Sequence, residues 1–174
     1  MMDIRNQLTL VLEKKYIDKL VADILTKPND FQQIYDLMFD AEEKVAWRAG
    51  WGCTKICSKV PDLFSDFHYV EILNLASSTK FHGVQRACLS ILFELNRPQL
   101  LTSDFINNCF EWMISPKYPI AVQAYSMKIL FQFCNLEPDF KFEFKAYLEN
   151  IEINNYSVGF ATTRKNILKL LDNR

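Results

Sequence analysis

The sequence predicts an all-α protein, a solenoid of stacked helical hairpins, and a repeated apolar pattern is the first observation behind this. The pattern starts at Val45, Val84, Val122 and Phe160, at intervals of 39, 38 and 38 residues. In each copy the positions 0, 3, 4, 7, 8 and 11 residues from the start lie on one face of a helix, and apolar residues fill 19 of these 24 positions. A fixed period of this length is typical of solenoids, in which each hairpin covers its neighbour.

Regularly placed prolines are the second observation. Pro61, Pro98 and Pro138 follow three of the pattern starts by 16, 14 and 16 residues. Proline cannot continue a helix, but it is tolerated in the first turn of the next one. Each repeat is therefore predicted to hold a first helix and a second helix, the second carrying the apolar pattern. The first helices are expected at about residues 30–40, 66–77, 103–114 and 138–150.

The 174 residues contain no Gly/Ser-rich linker, which predicts a single domain over 1–174 with a core large enough to need no metal or disulfide. We expect about nine or ten helices and no strands. An N-terminal cap is predicted at 1–29, followed by repeats at about 30–60, 61–97, 98–136 and 137–174. In the cap, apolar residues recur at helical spacing, namely Leu8, Val11, Leu12, Tyr16, Leu20 and Ile24.

Charge and cysteine usage narrow the function classes. The net charge of −1 argues against nucleic-acid binding through bulk charge. The five cysteines are odd in number and form no CxxC pair, so we expect free thiols and a cytoplasmic location. Neither a signal peptide nor an apolar run of about 20 residues is recognisable, so no membrane contact is expected.

Four phrases of the chain carry a family resemblance, VAWRAGW (45–51), HGVQR (82–86), PKYPIAV (116–122) with SMKIL (126–130), and SVGFA (157–161). Together they resemble a group of small HEAT-like (armadillo-type) α-α repeat proteins, found mostly in Bacteroidetes, over about residues 30–172. The resemblance implies an α-α superhelix and no established activity, so it assigns no functional residues. The commoner HEAT pattern has an acidic residue directly after the first valine, and here that position holds Ala46, Gln85, Gln123 and Ala161. The usual ionic ladder between repeats is therefore expected to be missing.

Residues for catalysis or metal binding are scarce. His68 and His82 are the only histidines, and Cys53 and Cys57 have the i, i+4 spacing of two metal ligands. Since Cys53 occupies a predicted core position, we expect no metal. No phosphate-binding loop, HExxH or GxSxG motif occurs, so we predict no catalytic residue and no cofactor.

Charge is unevenly distributed between the helices. The four second-helix windows (42–60, 81–97, 118–136 and 156–174) carry a net charge of +7, and the remainder carries −8. In HEAT-like solenoids the second helices usually face the concave side, so we predict a non-catalytic scaffold that binds a protein or peptide, with an anionic partner favoured. The alternative is that basic residues gather near helix C-termini to suit the macrodipole. The candidate binding residues are Trp47, Trp51, Arg86, Phe93, Lys128, Phe131 and Lys169.

The segment around Trp47 and Trp51 has two interpretations. Tryptophan and arginine dominate binding hot spots, so the two rings with Arg48 could form a recognition patch. Alternatively, the rings pack between hairpins and Arg48 pairs with an acidic residue of an adjacent hairpin. Gly52 stands where the other repeats have isoleucine, so either a neighbouring side chain, most simply an aromatic one, fills the space or a ligand enters it.

An enzymatic alternative is a HEAT-like alkylpurine DNA glycosylase, which grips damaged duplex on a basic, aromatic concave face. That family relies on a catalytic Asp one helical turn after an aromatic residue. Here the residues four positions after the three tryptophans are Trp51, Lys55 and Pro116. The net charge also disfavours an affinity that depends on phosphate contacts.

Overall fold

The computed structural model describes residues 3–10 and 13–173, and within them it contains ten α-helices and no strand. The all-α prediction is confirmed. The predicted cap residues Val11 and Leu12 lie outside the described residues. The chain forms two compact units, Met1–Leu95 and Asn96–Arg174.

The first unit holds six helices: α1 (Ile4–Thr9), α2 (Lys14–Thr26), α3 (Phe31–Asp36), α4 (Glu43–Cys57), α5 (Asp66–Ser78) and α6 (His82–Leu95). In this unit α4 packs against α6, α2 and α1, and α5 packs against α6. The α-helix predicted over 30–40 is shorter than expected. It ends at Asp36, and a 3-10 turn over Leu37–Phe39 follows it.

The second unit holds four helices: α7 (Ser103–Ile114), α8 (Ile120–Phe133), α9 (Pro138–Glu149) and α10 (Val158–Asp172). In this unit α8 packs against α7, α9 and α10. Pro61 and Pro98 begin 3-10 turns ahead of α5 and α7, whereas Pro138 is itself the first residue of α9. Proline therefore ends each hairpin as predicted, by two different local structures.

Side-chain caps fix where several helices begin. The hydroxyl of Thr102 accepts from the backbone N–H of Phe105, and the hydroxyl of Ser157 accepts from that of Phe160. Ser65 accepts from the N–H of His68, whose Nδ1 in turn accepts from the N–H of Ser65 at 3.0 Å. Such caps satisfy N–H groups that the first turn of a helix leaves unbonded.

The repeated apolar pattern marks the buried faces of α4, α6, α8 and α10. All six pattern positions in α4 are buried, and in the other three helices each position is buried or half-buried. Burial of these faces supplies the main driving force for packing each hairpin.

Glycines let these faces approach closely. A Cβ atom on Gly52 would lie 2.5 Å from Cδ1 of Ile34 in α3, and one on Gly50 would lie 2.9 Å from Cβ of Ala87 in α6. The space beside Gly52 is therefore filled by a neighbour, as the packing interpretation requires. That neighbour is the aliphatic Ile34, so the expectation of an aromatic side chain is wrong.

The glutamines that follow the pattern start join the two helices of a hairpin. Buried Gln85 of α6 donates from Nε2 to the carbonyl of Ala76 in α5 at 3.3 Å. Buried Gln123 of α8 donates in the same way to the carbonyl of Ser115, the residue after α7, at 3.0 Å. Both acceptors lie at helix C-terminal ends, where carbonyls lack partners within the helix. A neutral amide thus stands where the commoner pattern has an acidic residue.

Arginine makes the corresponding contact in α10, where alanine follows the pattern start. Arg164 donates from Nε to the carbonyl of Leu148 at 2.6 Å and from a terminal nitrogen to that of Glu149 at 3.2 Å. These are the last two residues of α9. A positive charge at a helix C-terminus also interacts favourably with the helix dipole.

Gly52→Ile is expected to lower the free energy of unfolding by about 1–3 kcal/mol, because the added side chain overlaps Ile34 in a closed core. Ile34→Val removes the clashing Cδ1 atom. We therefore expect Gly52→Ala combined with Ile34→Val to be more stable than Ile34→Val alone, by up to about 1 kcal/mol from helix propensity. Denaturant titrations measure all three variants. A melting temperature of Gly52→Ile above that of the native chain would instead mean open space beside Gly52.

Gln123→Leu is expected to cost about 0.5–1.5 kcal/mol of unfolding free energy, because it removes one of the two donors to the carbonyl of Ser115 at similar side-chain volume and leaves only the backbone N–H of Tyr118. The matched control is Gln99→Leu at an exposed position. Urea titrations of both variants check this. Equal urea midpoints for Gln123→Leu and Gln99→Leu would show that the amide contact does not stabilise the fold.

Candidate functional site

Two tryptophans on α4 form the most prominent aromatic feature outside the core. Trp47 and Trp51 are one helical turn apart, with ring centroids 6.1 Å apart and ring planes inclined by 20°. Both residues are half-buried. Lys55, one further turn along, lies 5.8 Å from the centroid of the Trp51 ring and pairs with Asp18 at 2.8 Å.

Trp47 also packs on α6. A Cβ atom on Gly83 would lie 2.6 Å from Cδ1 of Trp47, so only a glycine admits the indole at this distance. Trp47 is therefore compatible with both packing and recognition, since the residue packs between two helices and is only half-buried. The contact also holds the ring in a fixed orientation.

An open groove of about 560 Å³ borders Trp47 and is lined by Glu42, Glu43, Lys44, Trp47 and Gly83. Its charges are mixed. Glu42 is partly engaged, because one carboxylate oxygen lies 3.4 Å from the guanidinium of Arg5.

Arg48 belongs to neither of the expected arrangements. Its side chain is buried, and one terminal nitrogen donates to the carbonyl of Leu8 at 2.7 Å and to that of Leu10. Leu8 lies in the last turn of α1, and Leu10 is the residue that follows the helix. Both a surface recognition role and pairing with an acidic residue are therefore wrong for Arg48, which instead binds the C-terminal end of α1.

Arg86 is an exposed base on α6. It follows Gly83 by three residues, so the two occupy neighbouring positions on the helix surface. Among the described residues Arg86 has no ion-pair partner. Phe93, the other candidate on α6, is half-buried. The structure thus places Trp47, Trp51 and Arg86 on the packed pair α4 and α6.

The remaining candidates belong to the second unit, on α8 and α10. The Nζ atom of Lys128 lies 5.1 Å from the centroid of the Tyr125 ring on the same helix, and Phe131 is half-buried. Lys169 is exposed in the last turn of α10. These three residues belong to one unit, whose two second helices pack together.

Burial makes the cysteines of this fold poorly accessible. All five are free and buried. Burial raises the pKa of the Cys53, Cys88 and Cys109 thiols, which therefore stay protonated and poorly nucleophilic at neutral pH. Within the part of the chain that the structure describes, no three potential ligands converge on a metal position.

The second unit contains a cavity that the sequence did not predict. It measures about 530 Å³, and its walls come from the end of α7, the end of α9 and the connection to α10. Tyr147 and Tyr156 are its aromatic residues. The apolar repeat marks the second helices, whereas this cavity is built from helix ends and a loop, which have no periodic signal in the sequence.

Comparison with known proteins yields one match. The profile of a family described as HEAT repeat domain matches residues 4–171. No curated protein and no solved structure matches the chain. None of the helices formed by the described residues combines the length and apolar character that a membrane span requires.

Arg48→Met is expected to cost about 1.5–3 kcal/mol of unfolding free energy, because it removes a charged donor from the buried carbonyl of Leu8 and the part-buried carbonyl of Leu10. The loss should be concentrated in α1, whose amides should exchange with deuterium faster than in the native chain. Lys44→Met, an exposed base on the same helix, is the matched control. Unchanged exchange in α1 would show that Arg48 does not hold it.

Proposed function

The chain belongs to the HEAT repeat family, since the family profile covers nearly all of it, and we propose that it is a non-catalytic scaffold that binds a protein or peptide partner. HEAT repeats are generally scaffolds for protein interaction. The proposed contact surface is the accessible side of the second helices, considered separately in each unit.

The stacked Trp47–Trp51 pair is the observation that carries this proposal. Half-exposed indole rings supply large contact areas, and tryptophan and arginine are the residue types enriched at binding hot spots. Here the rings are held by each other and by Gly83, so little side-chain entropy is lost when a partner covers them. Exposed Arg86 on the adjoining helix supplies a charged donor next to this apolar surface.

For an anionic partner the support is narrower than the sequence charge suggests. Arg48 and Arg164 are bound to backbone carbonyls, and Lys55 is paired with Asp18. The exposed bases that remain on the candidate surface are Arg86 in the first unit and Lys169 in the second. We extend the proposal to an acidic segment of the partner on the strength of these two residues.

The non-catalytic character and the cytoplasmic location are part of the same proposal. Members of this family are typically non-catalytic. Five buried free thiols are compatible with a reducing compartment. The alternative activity, excision of alkylated purines, is tested by incubating the protein with methylated duplex DNA. Release of methylated base would replace the scaffold proposal by the enzymatic one.

Trp51→Ala and Arg86→Glu are each expected to weaken the partner's binding about tenfold or more, because each removes a hot-spot residue type from the proposed surface. The partner is first recovered at low salt, where electrostatic contacts are strongest, and its affinity is then measured by calorimetry. The matched controls are Phe67→Ala and Lys19→Glu, at exposed positions on α5 and α2.

The comparison between variants and controls decides the outcome. Loss of affinity in both test variants, with unchanged affinity in both controls, supports the second-helix surface. Full affinity in Trp51→Ala and Arg86→Glu, with unchanged thermal stability, would contradict it.

A further inference from the structure

The cavity of the second unit has an apolar floor and two aromatic walls. Ile114, Pro116 and Ile151 supply aliphatic surface, and the rings of Tyr147 and Tyr156 stand beside them. Its volume of about 530 Å³ falls within the range of pockets that enclose a small ligand or a few side chains.

Both aromatic walls are held in place. The Tyr156 ring stacks on Phe160 with centroids 4.0 Å apart, and its hydroxyl donates to the carbonyl of Ile114 at 2.9 Å. The Tyr147 ring meets Phe110 edge-on with centroids 5.0 Å apart. The rings therefore need little rearrangement when a ligand enters.

The electrostatic field at the cavity favours a cation. Two helices, α7 and α9, end at its wall, and a helix C-terminus carries a partial negative charge. Arg164 offsets the end of α9. Among the described residues, the carbonyls of Ile114 and Ser115 at the end of α7 receive neutral donors, namely the Tyr156 hydroxyl, the Gln123 amide and the backbone N–H of Tyr118.

Ionised side chains add to this field. Glu152 is exposed and lines the cavity, where it is the sole charged lining residue among those the structure describes. Lys117, which follows Pro116 in sequence, is exposed and does not line the cavity. A carboxylate beside two aromatic rings is the arrangement that binds an ammonium or guanidinium group, through charge attraction and cation–π contact.

We propose that this cavity binds a lysine or arginine side chain, flanked by apolar residues, of a partner peptide. The choice of a peptide rests on the proposed scaffold function, and the choice of a basic side chain rests on Glu152, the end of α7 and the two tyrosines. The site is distinct from the second-helix surface, because none of the candidate residues on α8 and α10 lines it.

The test uses the full chain, labelled with ¹⁵N, and three acetylated, amidated peptides of sequence Gly-Leu-X-Leu-Gly, in which X is lysine, norleucine or glutamate. Saturable shifts are expected at residues 147, 152, 155 and 156. The lysine peptide is expected to bind about tenfold more tightly than the norleucine peptide, and the glutamate peptide more weakly still.

Glu152→Gln should weaken the lysine peptide about threefold to fivefold, and Tyr147→Leu should do the same while retaining apolar volume. The matched control is Glu143→Gln, an exposed acid elsewhere on α9 that does not line the cavity. It should leave the affinity unchanged. The melting temperature of each variant checks that the unit is folded.

Equal binding of the lysine and norleucine peptides would overturn the basic side chain as the ligand. Absence of shifts with all three peptides at millimolar concentration would overturn the site. Shifts confined to Trp47, Trp51 and Arg86 would overturn this cavity while leaving the scaffold proposal in place. Conversely, cavity shifts together with a partner insensitive to Trp51→Ala and Arg86→Glu would keep the cavity and remove the second-helix surface.

Discussion

The burial of one face of every second helix is the constraint on which the rest of this chain depends. This burial also removes polar backbone groups from water. Packing α4, α6, α8 and α10 against their neighbours also covers helix ends, whose last carbonyls have no hydrogen-bond donor within their own helix. In each second helix one polar side chain donates a hydrogen bond to such carbonyls, namely Arg48, Gln85, Gln123 and Arg164. Each of these hydrogen bonds favours the neighbour against which its helix packs, because moving the helix away would break the bond.

The same constraint sorts the basic and aromatic residues into structural and available ones. Arg48 and Arg164 are used within the fold, whereas Arg86 and Lys169 remain exposed. Glycine has a matching role, since Gly50 and Gly52 allow close helix contact and Gly83 receives the Trp47 ring. The surfaces proposed for binding thus consist of residues that neither fill the core nor donate hydrogen bonds to the carbonyls of helix ends.

Periodicity predicted the second helices well, because a repeated apolar face is written directly into the residue order. It could not identify the partner of Arg48, since backbone carbonyls at the end of α1 have no residue signature. The early end of α3, the aliphatic neighbour of Gly52 and the cavity beside Tyr156 were missed for a related reason, because each depends on where chain segments meet. The prediction of one continuous four-hairpin domain stays a prediction.

The most direct test of the central claim is hydrogen exchange of the glutamine side-chain amides, measured by NMR on the ¹⁵N-labelled native chain. If the second helices are joined to their hairpin partners by buried amide donors, the side-chain protons of Gln85 and Gln123 will exchange much more slowly than those of exposed Gln99. Equally fast exchange in all three glutamines would contradict the account.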